Sequence, residues 1–104
     1  MANVRVSLCQ TLCIDGDREG NFARIENALV QSREMKCDIA CFPECCLLGW
    51  VNPAAHRLAH PIPGEDTERL ADLAQQYGMM ISAGLAEKEG ERLYDSAVLI
   101  DRDG

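Results

Sequence analysis

The chain has 104 residues, of which 47% are hydrophobic and 26% charged. That is one domain's worth of polypeptide, too apolar to stay disordered and without the run of ~20 apolar residues that a membrane-spanning helix needs. Ten basic against seventeen acidic residues give a net charge of −7, which disfavours a nucleic-acid partner, because phosphate-backbone binding needs a basic face.

Met1-Ala2-Asn3-Val4-Arg5 lacks the basic stretch followed by an apolar stretch that marks a secretory leader. The expectation is a cytoplasmic protein with no membrane partner. Six cysteines in 104 residues fall below the ~8–10% typical of disulfide scaffolds, so reduced thiols are expected.

In chain order, Val4 to Gln10 alternates apolar and polar residues and reads as a strand. The turn Asp15-Gly16-Asp17 follows. Phe22, Ile25, Ala28 and Leu29 then share one helical face, opposite Arg24, Asn27, Gln31 and Glu34. Asp17 and Asn21 are both good caps for the start of this helix. Asp38 to Phe42 is nearly continuously apolar, as expected of a strand buried on both faces, and Pro43 closes it.

Residues 44–64 read as a long irregular segment, of a length that is often functional. A helix is expected over Glu65 to Tyr77. Its first turn is acidic, its stripe is Leu70, Leu73, Ala74 and Tyr77, and Gly78 terminates it. Met79 to Leu85 and Tyr94 to Ile100 read as two strands of a hairpin, joined by a turn over Glu87 to Arg92. The order β-α-β-loop-α-β-β predicts an α/β fold with a mixed sheet. Asp101-Arg102-Asp103-Gly104 is turn chemistry with no strand after it, which suggests a domain cut short after its fourth strand.

Several chemistries lack their signatures. Gly16 and Gly20 lie between a strand and a helix, yet neither phosphate-loop fingerprint is present, and both glycines are assigned to the turn. His56 and His60 have the spacing of a zinc protease pair, but Arg57 stands where the glutamate is required. Cys37-x3-Cys41-x3-Cys45-Cys46 does not imply four converging thiols, so buried apolar thiols are expected rather than a metal site.

Glu44 stands out because it follows the apolar strand at its carboxyl end, where α/β sheets present residues to ligands. Apolar walls there would raise its pKa by desolvation, as suits a general base near neutrality. The plainer alternative is a glutamate that merely opens a solvated loop.

Taken together, Val4 to Gln10, Asn21 with Arg24-Ile25, Cys41-Phe42-Pro43-Glu44 and Leu48-Gly49-Trp50 resemble the opening of the nitrilase superfamily of carbon–nitrogen hydrolases. Ile62-Pro63-Gly64, Tyr77-Gly78, Gly84 to Glu87 and Leu93 to Asp101 continue the resemblance to the end of the chain. It implies the N-terminal part of an α-β-β-α sandwich, commonly dimeric in the full-length protein. The implied reaction is hydrolysis of a small-molecule amide, a carbamoyl amine or, less often, a nitrile, through a cysteine thioester and without metal or organic cofactor.

The resemblance gives Glu44 the role of general base in a Glu-Lys-Cys triad. The triad's nucleophilic cysteine and oxyanion-stabilising lysine have no counterpart in these 104 residues. Lys36 and Lys88, the only lysines, lie at a helix end and in the hairpin turn. Cys45 and Cys46 adjoin Glu44 but do not match the nucleophile's place. The chain alone is therefore expected to be inactive.

Two departures from the family pattern are visible. Asp95 stands where an asparagine is usual, which alters a hydrogen bond, and Trp50 takes the place of a frequent tyrosine. The loop aromatic either lines the acyl pocket or, as is commoner for such a residue, is simply packed; the packed ring is the expectation. The competing readings are a non-catalytic α/β binding or interaction module and a thiol-based metal protein.

Overall fold

The alternating segment at the N-terminus pairs over only three residues, Val6–Leu8 (β1), in the computed structural model, which describes residues 3–104. Its partner is equally short: Ile39–Cys41 (β2) runs parallel to it, with Val6 opposite Ile39 and Leu8 opposite Cys41. Beyond the ladder only single bonds persist, such as the Cys9 N–H donating to the Cys41 carbonyl at 2.9 Å.

Between them lies α1, Arg18–Glu34. Of the two candidate caps Asp17 takes the role, accepting from the Gly20 N–H at 3.1 Å and satisfying an otherwise orphaned donor. Gly20 is thus inside the helix, while Gly16 makes the turn with φ 74°.

The long segment after β2 is less irregular than its sequence suggests. It holds a short helix α2, Ala55–Leu58, and a parallel bridge from His60 to Glu87. Cys45, Cys46, Leu47, Leu48, Ala55 and Ala59 are buried, so packing gives this segment its order. Helix α3, Glu65–Tyr77, begins at Gly64, whose N–H donates to Thr67 Oγ1 at 2.9 Å, and ends at left-handed Gly78.

The hairpin strands β3, Met80–Glu89, and β4, Arg92–Ile100, are longer than expected. Glu87, Lys88 and Glu89 pair with Tyr94, Leu93 and Arg92. The polar run is therefore the exposed tip of the ladder, and the loop shrinks to Gly90-Glu91. Gly90 supplies the positive φ, 61°, that a two-residue hairpin favours.

The sheet order is β1-β2-β3-β4, parallel except for the final antiparallel pair. Strand side chains alternate between faces. One face sends Ala40, Ile81, Ala83 and Leu85 into a core with Ile25 and Leu29 of α1 and Leu70, Ala74 and Tyr77 of α3. The other carries the row Leu8, Cys41, Ser82 and Leu99, in which Leu8 is 80% and Leu99 64% exposed.

That contrast corrects the expectation of a β2 buried on both faces: Ala40 is buried, whereas Ile39 and Cys41 are only half-buried. A single layer of helices covers a single face. The result is a mixed α/β arrangement with one helical layer on one sheet.

An ion pair ties the helices together. Arg18 Nε lies 3.0 Å from Asp66 Oδ1, and Arg18 Nη2 donates to Asp66 Oδ2 at 3.4 Å and to the Leu58 carbonyl. Asp66 is buried. Its replacement by alanine leaves the Arg18 charge half-buried without a counterion, at the low end of the ~3–5 kcal/mol seen for such breaks because Arg18 keeps some contact with solvent. Urea unfolding of Asp66→Ala is expected to show a loss of about 3 kcal/mol through a lower midpoint, with an unchanged slope.

Candidate functional site

Glu44 owes its placement to what the backbone does after β2. The Phe42 N–H donates to the Ser82 carbonyl at 2.7 Å, the Gly84 N–H to the Pro43 carbonyl at 3.1 Å, and the Cys46 N–H to the Gly84 carbonyl at 3.0 Å. The chain therefore stays fastened to β3 while it turns. Cys45 adopts a left-handed φ of 47° to make the turn, a conformation uncommon for a residue with a Cβ and found often at functional sites.

The fit at Gly84 is closer still. A Cβ there would stand 2.5 Å from Glu44 Cα, 2.9 Å from the Pro43 carbonyl oxygen and 3.1 Å from Cys45 N. Only glycine lets the two backbones approach this far.

Glu44 is exposed and lines an open cavity of about 360 Å³ with Phe42, Ser82, Gly84, Asp95 and Ser96. Its pKa is raised, as expected, but apolar walls are not the leading cause. The largest contribution is a hydrogen bond with the Asp95 side chain, followed by desolvation and by the Asp95 charge, with the Trp50 indole acting the other way. Two carboxyl groups this close disfavour joint ionisation.

Asp95 reaches the cavity from β4. Its register partner is Ala86, and Ala97 lies opposite Gly84, so Asp95 and Gly84 look out from the same face of the sheet. Sequence reading noted Asp95 as an altered hydrogen bond without placing it beside Glu44. The hairpin register, extended through Glu89, was the signal that could have done so.

The neighbouring thiols are poor nucleophiles. Burial, reinforced by Asp95 and Glu44, pushes the Cys45 thiol up to about 11. Burial pushes that of Cys46 up to about 12. Both thus stay in the unreactive protonated form near neutrality. The Cys45 Sγ contacts Asp95 Oδ1 at 3.9 Å, whereas Cys46 faces the core.

Lys36 terminates α1 with φ 59°. Lys88 belongs to β3 rather than to the turn. Neither lines the cavity of Glu44. Trp50 is 70% exposed, which corrects the expectation of a packed ring; it sits at the rim of an adjoining hollow with Cys45, Asn52, Tyr94 and Asp95. His56 is exposed on α2, and His60 Nε2 pairs with Glu65 at 3.1 Å. Among the described residues no three His, Cys, Asp or Glu side chains converge as a metal site would require, and no helix is long and apolar enough to cross a membrane.

A mixed sheet backed by helices, presenting a carboxylate beyond the end of a parallel strand, defines an α/β protein with its candidate site at the carboxyl end of the sheet. Residues 5–104 match the family model for carbon-nitrogen hydrolases, and the chain belongs to that family.

The chain is 29% identical over its whole length to an omega-amidase of Xenopus tropicalis, covering 38% of that protein. It is 32% identical to a nitrilase of Pyrococcus abyssi, with 81% of this chain and 34% of the relative aligned. It is 30% identical to an (R)-stereoselective amidase of a Pseudomonas species, with 97% of this chain and 37% of the relative aligned. Among solved structures, an amidase of the nitrilase superfamily from Nesterenkonia superposes with a TM-score of 0.84 at 23% identity, covering 96% of this chain and 39% of that one. The chain thus spans little more than a third of the length of these curated relatives.

Proposed function

We propose that residues 1–104 form the N-terminal part of a larger carbon–nitrogen hydrolase domain that cleaves a non-peptide C–N bond, that of a small-molecule amide or carbamoyl amine or, less often, of a nitrile. The observation that carries this reading is Glu44: a carboxylate fastened against β3, opening on a cavity, with its proton affinity raised. Family membership supports the reaction class.

Glu44 acts as general base in the complete protein. It takes the proton of a nucleophilic thiol as the sulfur attacks the amide carbon. The C–N bond breaks as Glu44 passes that proton to the leaving nitrogen, and a thioester remains. Water then attacks the thioester with Glu44 accepting its proton, which frees the carboxylic acid and restores the thiol. A lysine ammonium stabilises the oxyanion formed in each half.

The high thiol pKa values beside Glu44 support a nucleophile other than Cys45 or Cys46. The reaction as written calls for no metal or organic cofactor, and the complete protein is expected to be a cytoplasmic homodimer. A general base without its nucleophile lacks a part of a unit that works together, so the 104-residue chain is inactive alone.

The test is ammonia release from a panel of simple amides by the complete protein. Glu44→Gln is expected to lower kcat/KM by roughly 10²–10⁴-fold, the usual contribution of a positioned base, with unfolding unchanged. Full activity in that variant overturns the assignment of Glu44, and turnover by the isolated 104 residues overturns the division of labour.

A further inference from the structure

We propose that Asp95 is a positioning residue for this hydrolysis: its carboxyl group faces the side chain of Glu44 in one cavity and fixes the direction of that carboxylate. The inference rests on the reading of Glu44 as general base and deepens it.

The geometry comes from three independent placements. The hairpin register puts Asp95 on the face that carries Gly84 and Ala86. Gly84, lacking a Cβ, lets the Glu44 backbone lie directly against that face. Asp95 and Glu44 consequently line one cavity, and Asp95 also accepts the long contact from Cys45 Sγ at 3.9 Å. A single β4 side chain thereby faces two successive residues of the turn.

Two carboxyl groups bond each other only when one of them carries the proton. While it is there, Glu44 is oriented but unable to accept another proton; once it leaves, repulsion separates the pair. The groups facing Glu44 are Asp95 from β4, the Cys45 thiol beside it and the Trp50 indole from the loop, with Cys13 behind Cys45. Among the described residues no lysine, arginine or histidine lines this cavity or the adjoining hollow. Within these residues Asp95 thus meets Glu44 without a cationic neighbour, and the lysine of the proposed triad comes from the rest of the complete protein. An asparagine at this position would donate to a carboxylate and favour its ionised form. Aspartate reverses the sign.

The sign is then fixed. Activity needs ionised Glu44, so it falls as pH drops through the raised pKa of that group. In Asp95→Asn the acid limb of kcat/KM moves to lower pH. The experiment combines that profile with a ¹³C-carboxyl NMR titration of Glu44, both on the complete protein. Asp95→Ser serves as the second variant should the amide substitution impair folding.

The expected result is a downward shift of the Glu44 titration in the folded variants, matched by the acid limb of activity. A Glu44 titration unmoved in both variants overturns the pairing, whatever the activity does. A titration that shifts while the activity profile stays still overturns Glu44 as the base instead, and with it the catalytic consequence of Asp95.

Discussion

Gly84→Ala is expected to cost about 3 kcal/mol of stability, near the top of the range for inserting a methyl group into a packed site, and about 10²-fold in the proposed hydrolysis. The added Cβ would meet Glu44 Cα at 2.5 Å and the Pro43 carbonyl oxygen at 2.9 Å. These are backbone atoms, so no rotamer change relieves the clash.

The 43–46 segment must lift from β3, straining the bonds from the Gly84 N–H to Pro43 and from the Cys46 N–H to the Gly84 carbonyl. A displacement near 1 Å at a reacting group is enough for a loss of ~10²-fold. Gly90→Ala is the comparison: it too replaces a β-hairpin glycine, and no atom stands within 4 Å of its Cβ, but its φ is 61°. That variant should lose about 1 kcal/mol from backbone strain alone and keep its activity. Thermal unfolding and steady-state kinetics on both variants separate close approach from backbone conformation. Equal activity losses in the two would remove Gly84 from the site.

This contrast also shows where sequence patterning stops. Helix α3 was legible to the residue, because an acidic first turn, a period of 3.6 and a terminal Gly78 are all local signals. So was the position of Glu44 just past the end of β2, because a proline after a short apolar run marks a strand end. The cavity around it was not legible, because Gly84 and Asp95 lie 40 and 51 positions further along the chain. Only the register of β3 against β4 and the run of the turn beside β3 bring them together.

The same limit explains the misjudged segments. A half-buried β2 and a buried 45–48 turn both depend on which face the helices cover, and alternation in a strand does not say. Charge misled at the hairpin: Glu87, Lys88 and Glu89 look like a turn, yet the ladder continues to Glu89. Exposed strand positions tolerate charge where a buried strand would not.

Asn21→Ala is expected to be strongly destabilising and to reach the site from behind. Sequence alone offered Asn21 as a helix cap or a motif residue; the structure makes it a clamp. It is 1% exposed. Its Oδ1 accepts from the Ile14 N–H at 3.0 Å and from Arg24, while Nδ2 donates to the carbonyls of Ile14 at 2.9 Å and Leu47 at 2.7 Å. Ile14 belongs to the loop leading into α1, and Leu47 to the turn begun by Glu44. One buried amide thus fastens both to the helix.

Alanine leaves the buried Leu47 carbonyl without this partner, while Ile14 is exposed and its carbonyl keeps the Asp17 N–H. An unsatisfied buried group costs about 1–3 kcal/mol, so the total expected, with the lost Ile14 bonds, is about 3 kcal/mol. Asn27→Ala, on the exposed side of the same helix, should stay within about 0.5 kcal/mol. Because the lost bonds hold the 45–48 turn, hydrogen exchange in Asn21→Ala should rise at the Cys46 and Gly49 amides before it rises in α3, where the protection of Leu70 and Ala74 is independent of Asn21. Uniform loss of protection would mean that the turn and the helical layer open only together, as one cooperative unit.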